Sequence, residues 1–138
     1  MIRAITPVFV CLLLLCSSAL DAQSVAREWN EALLSAIRKD FARPTVHARN
    51  LFHTSVAMYD AWAVYDDEAE TYLLGKTVDG FECAFTPPAM PGDIEAAREE
   101  AISYAAFRLL SHRFQNSPGA FLTLNNFNNV FADLGYDA

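Results

Sequence analysis

Residues 29–66 read WNEALLSAIRKDFARPTVHARNLFHTSVAMYDAWAVYD, a run with one proline near its middle and apolar side chains on both sides of it. Before the proline, Trp29, Leu33, Ala36, Ile37 and Phe41 recur at three-to-four-residue spacing, which predicts a helix over roughly 25–43. Pro44 closes it, because the residue before a proline is disfavoured in helical backbone. The same proline suits the first turn of a second helix over roughly 45–65, carrying Val46, Leu51, Phe52, Val56, Met58, Tyr59, Trp62 and Tyr65. Those groups surround almost the whole circumference, so the expectation is a buried helix. Its persistent polar stripe is Arg49, His53 and Asp60, within about 40° of one another at the helical period. Asp40 projects into the apolar arc of helix one and needs a partner. Asp40, Arg49, His53 and Asp60 are therefore expected to form a structural polar seam holding the two helices in register.

Working outward, residues 66–92 change character, with Asp67, Glu68 and Glu70, two glycines, Cys83, and the prolines at 87, 88 and 91. They read as an irregular, extended connection. A third helix is expected over roughly 93–114, with Asp93 as N-cap, acids early and Arg108, His112 and Arg113 late, as the helix dipole favours. Ile94, Ala97, Ala101, Ile102, Ala105 and Leu109 form its expected packing face. Ser117 and Pro118 read as cap and first residue of a fourth helix over roughly 118–134, stopped by Gly135. The fold class is all-α, with about four helices and no internal repeat.

Upstream, Met1–Arg3, the apolar run from Ala4 to Cys16, and small residues to Ala22 read as a cleaved signal peptide over 1–22. The apolar run is shorter than the roughly 20 residues a membrane-spanning helix takes. The expectation is an exported, periplasmic or extracellular chain with no membrane segment after cleavage, and a single helical domain over 23–138. Its cysteine would then be Cys83, as a free thiol or with a partner elsewhere.

Of 138 residues, 53% are hydrophobic, which excludes an unfolded polar chain. The formal charge is -7, and Arg108 and Arg113 are the basic residues of the last 38 positions, so a phosphate-tracking nucleic-acid surface is not expected. Acids concentrate between Asp60 and Glu100, read as solvated loop and helix-start positions because no spaced calcium-ligand loop is present. His47 and His53 are six apart and fall on different helical faces, while His112 belongs to another helix, so no paired metal site is expected. No Gly-rich phosphate loop and no nucleophile facing a histidine-acid pair is evident. Catalytic, cofactor-binding and metal residues are accordingly expected to be none.

Residues 29–66, extended by YLLGKTVDGF (72–81), EAAREEAISYAAFRLLSHRF (95–114), SPG (117–119) and LGYD (134–137), resemble the N-terminal helical region of bacterial exported proteins related to vanadium-dependent haloperoxidases. The resemblance covers essentially the whole mature chain. It implies membership of the phosphatidic acid phosphatase type 2/haloperoxidase superfamily, an all-helical enzyme fold in which lysine, arginines and histidine hold a vanadate or phosphate oxyanion. The family activity is peroxide-dependent halide oxidation or phosphate-ester hydrolysis. Its pocket comes in three segments: a lysine separated by six residues from Arg-Pro, a Ser-Gly-His, and an arginine separated by five residues from histidine. Here Lys39 precedes Arg43-Pro44 by three intervening residues, Ser111-His112 lacks the glycine, and His112 follows Arg108 at four positions. No catalytic residue is carried over.

The resemblance thus implies a non-catalytic N-terminal part, inactive alone, whose vanadate and whose partner, a C-terminal catalytic helical bundle, belong to a longer protein. Faces meant for that bundle are expected to expose apolar surface and favour self-association. The alternatives are a complete small exported helical binding module and, behind it, a small hydrolase using His53 and Asp60.

Overall fold

Trp29 is fully buried where three helices meet, and the rest of the core is arranged around its ring. The computed structural model describes residues 24–137, and the expected export signal at 1–22 lies outside the described residues. Among the described residues four helices run α1 (Val25–Ile37), α2 (Pro44–Ala63), α3 (Ile94–Phe114) and α4 (Ala120–Asp133), confirming the all-α class. Between α2 and α3 sits a two-residue hairpin, β1 (Thr77–Val78) with β2 (Phe81–Glu82), paired antiparallel.

Helix α1 lays Trp29, Leu33 and Ala36 against Ala106, Leu110 and Phe114 of α3 and Phe127 and Phe131 of α4. Phe107 and Phe131 stack at 4.5 Å, and Tyr104 meets Phe131 edge-on at 4.8 Å, preferred geometries for aromatic pairs. Helix α2 packs chiefly on α3 and touches α1 little. Leu51, Phe52 and Tyr59 therefore face outward, contrary to the expected all-round burial of helix two. The buried residues of α2 are His47, Asn50, Thr54, Met58, Asp60 and Ala63, a more polar set than the sequence suggests.

Two boundaries and one face also differ from expectation. Helix α1 ends at Ile37 rather than near residue 43, because the Asp40 carboxylate turns back to accept the Phe41 N–H at 2.8 Å and breaks the helical ladder. Phe41, expected inside, is 62% exposed. Helix α4 starts at Ala120, with Gly119 rather than Ser117 at its N-cap. A Cβ at position 119 would lie 2.8 Å from the Cβ and 3.0 Å from the carbonyl oxygen of Lys39, so glycine is what lets the α3–α4 turn rest on the α1–α2 turn. The central face of α3 is Ser103, Ala106, Leu110 and Phe114, with Ile102 the residue shared with the expected alanine-rich face. The large aromatic groups of α1 and α4 claim that side, and Ala105 and Leu109 turn toward α2 and the hairpin.

Two caps form as the sequence implies. Asp93 accepts the Ala96 N–H at 3.1 Å at the start of α3. At the end of α4, Gly135 has φ +87°, and the N–H groups of Gly135 and Tyr136 reach back to the carbonyls of Ala132 and Phe131. That is the Schellman arrangement, and the Tyr136 ring packs 5.5 Å from Phe131 as its apolar complement.

Candidate functional site

The expected seam divides into separate pairings. Asp40 does not meet the polar stripe of α2: besides the Phe41 N–H, it takes the Arg43 guanidinium at 3.1 Å within its own turn. The early end of α1 places Asp40 beyond the helix, so its wheel position no longer applies. Asp60, buried on α2, faces the connection instead. Its two carboxylate oxygens accept the backbone N–H groups of Tyr72, Leu73 (2.9 Å) and Leu74 (3.1 Å), anchoring the hairpin segment to the helix. The hairpin follows from the Asp79-Gly80 dipeptide, both at positive φ (51° and 81°), the turn that matches strand twist.

His53 takes a partner from α3. Its Nδ1 lies 2.7 Å from a guanidinium nitrogen of Arg113, and Arg49, one turn earlier on α2, lends a second positive charge. Guanidinium groups donate and do not accept, so Nδ1 must be bare and the ring proton must sit on Nε2. Burial, then Arg113, then Arg49 push the histidine below its ordinary range. Arg49 and Arg113 are both exposed, and among the described residues neither forms an ion pair.

The His53 ring is part of the wall of a cavity of about 730 Å³ between α2, α3 and the hairpin. The wall is largely apolar, including Phe52, Val56, Tyr72, Ala105 and Leu109. Asp60 also borders it, but with its oxygens committed to backbone donors it is not placed as a general base for His53. His47 lies elsewhere, its Nε2–H donating to the Phe41 carbonyl at 2.7 Å. Among the described residues, no group of three or more His, Cys, Asp or Glu side chains is arranged to hold a metal.

A second polar junction ties α2 to α3. Arg98 bonds Asp66 at 2.8 Å, the Tyr65 carbonyl at 2.9 Å and Glu95 at 2.6 Å, with its guanidinium 5.1 Å from the Trp62 ring. The N–H groups of Ala69 and Glu68, and then Arg98, hold the Asp66 carboxyl below the usual range. Cys83 is a half-buried free thiol, without a disulfide partner among the described residues.

The residues nearest the oxyanion motifs do not converge. Lys39 Nζ is bonded to Ser35, Arg43 to Asp40, Arg108 lies 5.5 Å from the Tyr104 ring, and His112 lies beside Gln115. They do not fit a vanadate ion, which needs several fixed donors aimed at one centre. The contact that does form across the helices, His53 with Arg113, was not legible in the sequence, since Arg113 reads as an ordinary dipole-complementing residue in the last turn of its helix.

No described helix is long and apolar enough to cross a membrane. No protein-family model matches the chain, and no curated protein or solved structure matches it either.

Proposed function

We propose that this chain is the non-catalytic N-terminal helical part of an exported vanadium-dependent haloperoxidase-like protein, whose family activity is peroxide-dependent halide oxidation or related phosphate-ester hydrolysis. The resemblance of residues 29–66 and of the ordered segments after them supports this reading. The structural observation in its favour is an apolar surface at one end of the bundle. Contact between Gly119 and Lys39 brings the α1–α2 and α3–α4 turns together, and beside them Phe41, Phe121 and Leu122 are 62%, 76% and 61% exposed. Exposed apolar residues gathered at one end mark a surface that another element covers. In this reading the cover is the C-terminal catalytic helical bundle, and vanadate belongs to that bundle.

The test begins with the reading frame past codon 138. A continuation into further helical sequence is expected, and the longer protein should oxidise bromide with peroxide and vanadate while the 138-residue chain does not. Hydrogen exchange at residues 39–43 and 119–123 should slow in the longer protein relative to the short one. A stop codon directly after Ala138, or bromide turnover by the short chain, overturns the proposal. The second reading, a self-standing exported binding module, draws support from the α2–α3 cavity, and the stop codon would favour it.

A further inference from the structure

Asp60 is a buried carboxylate, 4% exposed, with no cationic partner among the described residues. Buried charges are ordinarily paired. The basic residues between Asp60 and Glu100 are engaged elsewhere, Lys76 with Glu70 and Arg98 with Asp66 and Glu95. Three backbone N–H groups bond the carboxylate, one at Oδ1 and two at Oδ2. An ionised carboxylate offers about four acceptor sites, so one remains, on Oδ1.

Asp60 also borders the cavity of about 730 Å³ between α2, α3 and the hairpin, a volume among those of small-molecule sites, roughly 300–1,000 Å³. Among the described residues the wall carries no lysine or arginine, and its charges are Asp60 and the exposed Asp79 of the hairpin turn. His53, also in the wall, lies seven residues before Asp60 on α2, about 10 Å away along the helix axis. Burial, then Arg113 and Arg49, hold its imidazole below the ordinary range, so the ring is neutral at pH 7, and its Nδ1 contact places the Arg113 guanidinium behind that end of the cavity. Val56, Ala57, Ala105 and Leu109 supply apolar wall. The cavity therefore has an apolar body and is negative at Asp60 and the hairpin.

We infer that this cavity binds a small amphiphilic ammonium ion, whose head donates to Oδ1 of Asp60 and whose alkyl chain lies along Val56, Ala57, Ala105 and Leu109 toward His53. The head supplies the counter-charge that Asp60 lacks, Asp79 adds to the attraction, and the chain gains by leaving water. The inference stands apart from the proposed function, because it uses neither the Phe41/Phe121 surface nor any sequence beyond residue 138.

Calorimetric titration of the full chain with octylammonium, below its micellar concentration, tests it, and one-to-one binding is expected. Octanol, the tail without the charge, octanoate, the tail with the opposite charge, and methylammonium, the charge without the tail, should each bind at least about tenfold more weakly. NMR shifts on binding should fall on the methyl groups of Val56, Ala105 and Leu109 and on the Leu73 and Leu74 amides, whose acceptor the ammonium shares. Ala105→Phe should fill the cavity and weaken octylammonium binding by about tenfold or more with an unchanged circular dichroism spectrum. Asp60→Asn should weaken it by about tenfold. Because Asp60 also holds the hairpin, Asp79→Asn is the second variant: asparagine tolerates the positive φ of that turn, and loss of the exposed charge should weaken binding by about twofold to fivefold. Octanol or octanoate binding as tightly as octylammonium, undiminished affinity in Ala105→Phe or Asp79→Asn, or NMR shifts confined to the Phe41/Phe121 end would overturn the inference. So would several ions bound per chain in a manner that methylammonium reproduces, the mark of general attraction to a chain of formal charge -7.

Discussion

Asp60 on α2 accepts the backbone N–H of Leu73 at 2.9 Å, thirteen residues along the chain, and through Tyr72 and Leu74 the same carboxylate holds the start of the hairpin segment. A single buried side chain thus supplies the acceptors for three backbone donors outside regular structure. Buried backbone donors without partners are costly, so the connection is ordered by α2 rather than by its own short strands.

Asp60→Ala should lower stability by on the order of 3 kcal/mol, since three charge-assisted bonds are lost and the donors are left partly buried. Urea denaturation measures the loss. Hydrogen exchange should place it first at residues 72–74, with the α1/α3/α4 core around Trp29 protected until global unfolding.

His53 sets a pH dependence of definite sign. Its folded value lies below the ordinary histidine value near 6.5, so the unfolded chain binds the proton first. The stabilisation is complete above about 6.5 and is lost as pH falls from there through the lower folded value. Arg113→Gln should raise the His53 titration part of the way toward 6.5, because burial, the largest cause, remains. An NMR titration of the ring Cε1–H reads this directly, and a fall on removing Arg113 would contradict the pairing.

Gly119→Ala should destabilise the protein by about 1–3 kcal/mol, as overpacking against backbone does. The added Cβ meets the carbonyl oxygen of Lys39 as well as its Cβ, so Lys39→Gly should restore part of the loss and not all of it. Thermal melting of the two single variants and the double variant measures the coupling.

Arg98→Lys should not rescue Arg98→Ala, because one ammonium cannot reproduce a planar fork that joins Asp66 and the Tyr65 carbonyl while lying over Trp62. Both variants should lower the melting temperature by several degrees. Asp66 should titrate higher in each but stay below the ordinary carboxylate value, since the Ala69 and Glu68 N–H groups persist. Its stabilisation is present above the ordinary carboxylate range and disappears as pH falls through the lower folded value.

Helix number, order and several ends were readable from residues alone, because each rests on contacts within a few positions. Pro44 separates α1 from α2, Asp93 caps α3 through Ala96, and Gly135 turns the chain after α4. The Asp79-Gly80 hairpin was equally local, and its signal lay in the same dipeptide that a loop reading passes over. The candidate site was not readable. Arg113 and His53 are 60 residues apart, and nothing in the spacing of either helix pairs them. Helix α2 was misread for a related reason: with apolar residues all round, its pattern prefers no face, and which residues are buried depends on the neighbour it receives.

The amino-acid sequence by itself determined the four described helices, the caps at Asp93 and Gly135 and the proline that divides the first two, since turn and helix energetics act between residues near in the chain. Packing decided which face of each helix is inside, that Asp40 bonds its own turn, that Asp60 holds the hairpin, and that His53, part of a cavity wall, meets Arg113 from the facing helix. Those relations depend on the relative placement of whole helices, which follows from the summed fit of Trp29, Phe107, Phe127 and Phe131 rather than from any local preference.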